Sequence, residues 1–137
     1  MINEVPYDQV LEIRHKVMYP GKPKEVVILA DDDKGIHIGY HKNDNPVSVV
    51  SIFLNNGELQ FRKLATLEEF QGKGYASQLV KWILDYARDM QFPRVWCNAR
   101  VGKIDFYKKF GFEPTGQTFD KDGYEFVIIE KRFPQEG

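Results

Sequence analysis

The chain has 137 residues, 42% apolar and 14% aromatic, and its 19 basic and 20 acidic side chains leave a formal charge of −1. A single domain of this length buries roughly 68% of the surface its unfolded form exposes, so an aromatic-rich, near-neutral composition excludes intrinsic disorder. The missing basic excess speaks against a general nucleic-acid binder.

No run approaches the ~18 apolar residues of a membrane-spanning helix; the densest is Val26 to Ala30. The opening Met-Ile-Asn-Glu-Val lacks the basic flank and apolar stretch of a secretion signal. We therefore expect one cytoplasmic domain over residues 1–137, with neither a membrane nor a nucleic acid as partner. Cys97 is the single cysteine, and His15, His37 and His41 are not spaced as ligands, so no disulfide and no metal are expected.

In chain order, the apolar spacing from Tyr7 to Met18 predicts a helix behind Pro6, ending at Tyr19-Pro20-Gly21. Val26 to Ala30 reads as a short strand. Asp31-Asp32-Asp33-Lys34-Gly35 is turn chemistry, although three acids could also attract a cationic substrate. The alternation of Ile36, Ile38 and Tyr40 gives a strand, closed by Asn43-Asp44-Asn45-Pro46. Val47 to Leu54 and Glu58 to Thr66 form a hairpin around Asn55-Asn56-Gly57.

After Gly74 the apolar positions Tyr75, Leu79, Trp82, Ile83, Tyr86, Ala87 and Met90 make the clearest amphipathic helix. Pro93 precedes a strand over Arg94 to Ala99, and strand, helix, strand implies a parallel βαβ unit. A short helix from Ile104 to Phe110 stops at Gly111. Two last strands, Glu113 to Phe119 and Tyr124 to Phe133, turn at Asp120-Lys121-Asp122-Gly123, and Pro134 to Gly137 reads as a loose tail. The class is α+β with a mixed sheet.

Charge is unevenly spread: residues 71–110 carry 8 basic and 3 acidic side chains, against 8 and 11 before them and 3 and 6 after. A positive island in a neutral chain suggests a localised anionic ligand, most simply a phosphorylated small molecule. Gln71-Gly72-Lys73-Gly74-Tyr75-Ala76-Ser77 lies between a strand and the strongest helix. Its small residues permit close backbone approach, and a helix N-terminus offers unpaired N–H groups and a positive dipole end. A diphosphate cradle and a plain capped loop both fit that spacing. The P-loop pattern is absent, and the dinucleotide fingerprint fails because Leu67 to Gln71 intervene and Asn98-Ala99-Arg100, not an acid, ends the next strand.

Gln71, Gly74 and Ala76 match the signature Gln/Arg-x-x-Gly-x-Gly/Ala. Downstream, Phe106-Tyr107-Lys108-Lys109-Phe110-Gly111-Phe112 supplies an aromatic pair before a Gly-Phe. In both segments the chain resembles the GNAT superfamily of acyl-CoA-dependent N-acetyltransferases. The resemblance implies a mixed, mostly antiparallel central sheet with helices on both faces and a parallel βαβ coenzyme-binding unit. It implies acetyl-CoA as co-substrate and a small-molecule or peptide amine as acceptor, and leaves the oligomeric state open, a homodimer included.

In such a family Leu64, Ala65 and Thr66 would offer backbone groups to the acetyl and pantetheine portions, and the amides from Gly72 to Ser77, including Lys73 and Tyr75, would hold the pyrophosphate. Tyr107 would be the general acid that protonates the departing thiolate, a role for which a phenol with an ordinary pKa of ~10 is suited. Many members carry Asn and Ala where this chain has Arg100 and Lys103. Asn98 would substitute by proximity, and Arg100, Lys103, Lys108 and Lys109 could meet coenzyme phosphates or form solvated surface. Glu68 and Glu69 could deprotonate the amine through a water or simply complement a helix N-terminus. Cys97, mid-strand beside Trp96, reads as a buried small residue, with a covalent acetyl-cysteine as its alternative. A non-catalytic acyl-CoA sensor and a binder of another nucleotide are the rival readings.

Overall fold

Residues 1–135 are described by a computed structural model; the last two residues of the expected tail lie outside it. The first helix, α1, spans Tyr7–Met18 and is entered through Pro6 at φ −55° and ψ 141°. The Pro6 carbonyl accepts from the Gln9 and Val10 N–H groups at 3.0 and 3.1 Å, which starts the turn without asking the proline ring for a donor. Val10, Ile13 and Arg14 are the residues α1 buries.

Seven strands follow one sheet in the order β1-β2-β3-β4-β5-β7-β6. They are β1 (Ile2–Glu4), β2 (Ile36–Lys42), β3 (Asn45–Asn55), β4 (Glu58–Thr66), β5 (Arg94–Arg100), β6 (Glu113–Lys121) and β7 (Tyr124–Arg132). Helix α2 (Tyr75–Asp89) crosses from β4 to β5, which run parallel through Leu59↔Val95 and Gln60↔Trp96, as the βαβ reading requires. The pairs β1–β2, β2–β3, β5–β7 and β6–β7 are antiparallel.

Four points differ from the expectation. Val26 to Ala30 is no strand: Lys24–Val27 is a 3-10 turn and only Val27 is buried there. Val26 and Ile28 point outward at 42% and 49% exposure. Several of the segment's backbone groups are engaged otherwise, the Val27 carbonyl by Arg14, the Leu29 N–H by Asp32, and the Val26 and Ile28 N–H groups by the Pro23 and Glu25 carbonyls. Asn45 and Pro46 belong to β3, and the β2–β3 turn is only Asn43-Asp44, both at positive φ (53° and 66°), a two-residue hairpin connection. The short strand β1 gave no sequence signal, being three residues long, yet it pairs with β2 from Ile2↔Tyr40 to Glu4↔Ile38. The short helix α3 is trimmed to Ile104–Lys108.

The chain packs as two compact units, Met1–Phe53 with Phe61–Trp82, and Leu54–Gln60 with the described residues from 83 onward. In the first, Val5, Val10, Ile13, Val49 and Ala65 form a buried cluster against which Val17, Met18 and Leu67 pack; each fully buried apolar side chain contributes roughly 1.5–3 kcal/mol. In the second, Val95, Cys97 and Ala99 alternate inward along β5 and are matched on β7 by Val127 and Ile129. The outer strand β6 is exposed along almost its whole length.

A charged network is buried inside the first unit. Arg14 is fully buried and grips Asp32 in a two-pronged pair, Nη1 to Oδ2 at 2.8 Å and Nη2 to Oδ1 at 2.9 Å. Its remaining hydrogen bonds go to the Val27 carbonyl and Ser51 Oγ. Asp32 Oδ2 also accepts from Tyr7 Oη at 2.6 Å and the Leu29 N–H at 3.0 Å. Burial alone would raise the Asp32 carboxyl, but hydrogen bonds from Arg14, Tyr7 and Leu29 outweigh it and hold the value at about 2.

A carboxyl depressed below its ordinary ~3.9 stabilises the fold fully above about pH 4, and that contribution disappears as pH falls through about 2. Urea unfolding should show stability dropping across that window. Removing the cation is harsher: Arg14→Leu strands a buried carboxylate and should cost about 3–5 kcal/mol at pH 7. A variant within 1 kcal/mol of the parent, by the same measurement, would show that the pair is not a structural requirement.

Candidate active site

Within the first unit the sequence-predicted cradle is assembled from the end of β4 and the start of α2. Gly72 and Gly74 stand at φ +76° and +89°, where a side chain costs strain. A Cβ on either would meet no protein atom within 4 Å, so their outer side is open to a ligand. The first bond into α2 runs from the Gln78 N–H to the Gly74 carbonyl at 3.1 Å. Tyr75, Ala76 and Ser77 therefore carry the N–H groups that a helix start cannot pair internally. No acidic side chain occupies that first turn, and the positive end of the helix dipole faces the same way.

Gln71 has a different role from direct ligand contact in this state: its Nε2 donates to the Thr66 carbonyl at 2.9 Å, tying the strand end to the cradle. Thr66 is held from the other side by a 2.7 Å hydrogen bond between its hydroxyl and that of Ser48, and the Leu67 N–H donates to the Val47 carbonyl. Glu68 and Glu69 are exposed in the 3-10 turn Glu68–Phe70. Two ammonium groups flank the Phe70 ring, Lys73 and Lys42, each 5.8 Å from its centroid, so the cradle's basic character is larger than Lys73 alone. Nothing in the sequence singles out Lys42; only the pairing of the β2 end with β3 brings it there.

Sequence reasoning also missed Lys63. It holds φ +58° inside β4, a conformation that costs a non-glycine residue roughly 1–2 kcal/mol. Its ammonium lies 5.3 Å from the Tyr19 ring centroid. Lys63 immediately precedes Leu64-Ala65-Thr66 in the strand.

A cavity of about 550 Å³ opens in the same unit, lined by Tyr7, Leu29, Ala30, Asp32, Asp33 and His37 among others. The triple-aspartate segment divides into three roles. Asp31 pairs with Arg62 at 3.3 Å, Asp32 is the buried partner of Arg14, and Asp33 is exposed.

The second unit carries the remaining predicted residues. Tyr107 lies in α3, half-buried and edge-on to Phe106 and Phe112 at 5.0 and 5.9 Å between ring centroids. Burial, and after it the neighbouring Cys97 sulfur, push its phenol above the ordinary range, so it stays protonated throughout physiological pH. Burial likewise pushes the Cys97 thiol up; a thiol held neutral at 3% exposure is a poor nucleophile, which argues against the acetyl-cysteine alternative. Asn98 is exposed on β5 facing opposite to Cys97. Lys103 and Lys108 are exposed at the start and end of the α3 segment. Arg100 is occupied elsewhere, its guanidinium 3.9 Å from the Tyr124 ring centroid. Lys109 stacks over Phe106 at 5.0 Å. Among the described residues no group of three or more His, Cys, Asp or Glu is arranged to hold a metal ion.

Known proteins share this fold and sequence pattern. An uncharacterized N-acetyltransferase of Bacillus subtilis, YitI, is 25% identical over 137 residues, covering 93% of this chain and 92% of its own. Among solved structures, the ribosomal-protein-S18-alanine N-acetyltransferase of Escherichia coli superposes with a TM-score of 0.82 at 13% identity, over 100% of this chain and 96% of its own. A GNAT family acetyltransferase from Elizabethkingia anophelis with acetyl-CoA bound gives 0.73 at 16% identity, over 97% of each. The model of the acetyltransferase (GNAT) family matches residues 7–112, from the first turn of α1 through the cradle to the Gly-Phe after α3, and the chain belongs to that family.

Proposed function

We propose that the protein is a single-domain N-acetyltransferase that moves an acetyl group from acetyl-CoA to a primary amine by direct attack in a ternary complex. The observation that carries this reading is the cradle: two glycines at positive φ, an acid-free helix start and two lysines around Phe70. Such a site suits a diphosphate, and family membership points to coenzyme A as its source.

In this reading the amides of Gly72, Lys73, Gly74, Tyr75, Ala76 and Ser77 bind the pyrophosphate, with Gln71 holding the loop in register. Backbone groups of Leu64, Ala65 and Thr66 line the acetyl-bearing arm, and an N–H there aimed at the thioester oxygen stabilises the charge that develops on it. Asn98, Lys103 and Lys108 contribute to the coenzyme's polar and phosphate groups. Tyr107 gives its proton to the sulfur as the C–S bond breaks, and Glu68 or Glu69 accepts the amine's proton through a water. The reaction needs no metal, and the compartment we propose is the cytoplasm.

Gly74→Asp should abolish acetyl-CoA binding by calorimetry, because it adds both strain and a carboxylate where a diphosphate must sit. Gly74→Ala adds the strain alone and should keep measurable but weaker affinity. Affinity unchanged in the aspartate variant would remove the coenzyme from this segment. Tyr107→Phe should lower kcat about 100-fold or more with little change in acetyl-CoA affinity, since the hydroxyl acts in the transition state. With Tyr107 neutral well above its ordinary range, kcat should show no alkaline fall assignable to it below about pH 10. Equal turnover of parent and variant on a true acceptor would take the acid role away from Tyr107.

A further inference from the structure

We propose that the cavity walled by Tyr7, Leu29, Asp33 and His37 receives the acceptor, and that the acceptor is a short alkyl diamine with one ammonium held by Asp33 while its other amine is acetylated. This rests on the acetyltransferase reading above and adds to it the class of substrate. The cavity is a feature of the first unit alone.

Charge decides the ligand's sign. Of three consecutive carboxylates, two are already matched: Asp31 by Arg62, and Asp32 by Arg14, which is wholly buried and has both terminal nitrogens engaged. Asp33 lines the cavity, is exposed, and makes no ion pair among the described residues. The surplus charge at the cavity is therefore negative. An acceptor bearing a carboxylate or phosphate is repelled there, and one bearing an ammonium is drawn in.

The walls decide the ligand's body. Tyr7 and His37 present two rings with centroids 5.4 Å apart, beside Leu29 and Ala30. These apolar surfaces suit methylene groups, and the Tyr7 ring can attract an ammonium. They offer little to a polyhydroxylated amine. The Tyr7 hydroxyl already donates to Asp32, and the two His37 nitrogens lie 2.6 Å from Ser51 Oγ and 3.0 Å from the Asp32 carbonyl. Gly35, also in the wall, lets the Phe53 ring pack close, since a Cβ there would stand 2.7 Å from Phe53 Cε1.

Chemistry then requires the second nitrogen. A carboxylate beside an ammonium favours the charged form, and an ammonium has no lone pair, so the nitrogen held by Asp33 is not the nucleophile. The other, neutral amine forms the C–N bond to the acetyl carbon as the C–S bond breaks. That nitrogen sheds one proton to a base and the thiolate gains one, so the products are a monoacetylated diamine and the coenzyme's free thiol.

The test is calorimetric titration of the full chain at low salt with 1,4-diaminobutane and with 4-aminobutyrate, which replaces one ammonium by a carboxylate. Wild type, Asp33→Asn and the remote control Asp44→Asn are compared, and acetyl-CoA is titrated separately. The expected result is that the diamine binds and the amino acid does not. Asp33→Asn should weaken the diamine about threefold to fivefold, the scale of an exposed ion pair, while Asp44→Asn leaves it unchanged. Mass detection after incubation with acetyl-CoA should show the monoacetylated diamine. Equal binding of both compounds, or an affinity indifferent to Asp33→Asn, overturns the inference while leaving the coenzyme reading intact if acetyl-CoA still binds. Failure of acetyl-CoA to bind overturns the function itself.

Discussion

A helix cannot pair the N–H groups of its own first turn, and the rest of this structure is arranged around where α2 leaves them. Gly72 and Gly74 adopt at little cost φ values that strain other residues, so the chain turns between β4 and α2 and leaves those donors facing outward. Gln71 and Thr66 fasten the bend through the strand end, and Ser48 fastens Thr66 through β3. The long amphipathic helix behind the bend buries Leu79, Val80, Ile83 and Ala87 completely. The donors are thus held by the hydrophobic core rather than by a mobile loop, which is what preorganised anion binding requires.

The other fixed point is the Arg14–Asp32 pair. A buried ion pair is no proof of net stability, because desolvation can cancel its attraction. What it does here is local: by engaging Val27, Leu29, Tyr7 and Ser51, it gives a defined course to a connection that has almost no apolar anchor. The same connection is tied to β2 by the contact between His37 Nε2 and the Asp32 carbonyl at 3.0 Å, and Tyr7, Leu29, Asp33 and His37 line the cavity beside it. The positive φ of Lys63 lies in β4 immediately before the residues proposed to face the acetyl group.

Most of this architecture was legible in the sequence wherever period and punctuation agreed. The bounds of α1 and β4 coincide with those read from spacing, because Pro6, Gly57 and the Leu67-Glu68 break mark them sharply. The bend between β4 and α2 was legible because Gly72 and Gly74 punctuate the chain just before the strongest helical period, and both stand at positive φ. Val26 to Ala30 misled because β-branched composition suggests a strand, whereas the deciding interaction comes from Arg14, a residue distant in sequence whose partner Asp32 looked like turn chemistry. Lys42 and Lys63 were invisible for a related reason: a lysine's role depends on which ring or bend the fold brings beside it, and no local pattern records that. The triple aspartate could be recognised as a cluster, but only burial separates its three members.

The central claim is that main-chain amides from Gly72 to Ser77 grasp the coenzyme's diphosphate. Amide-resolved nuclear magnetic resonance of the isotope-labelled chain during titration with coenzyme A tests it residue by residue. The account predicts that the largest saturable shifts fall on residues 72–77, with Thr66 following through its link to Gln71. Saturation of binding with those amides unmoved, and the changes gathered on other elements, would contradict it.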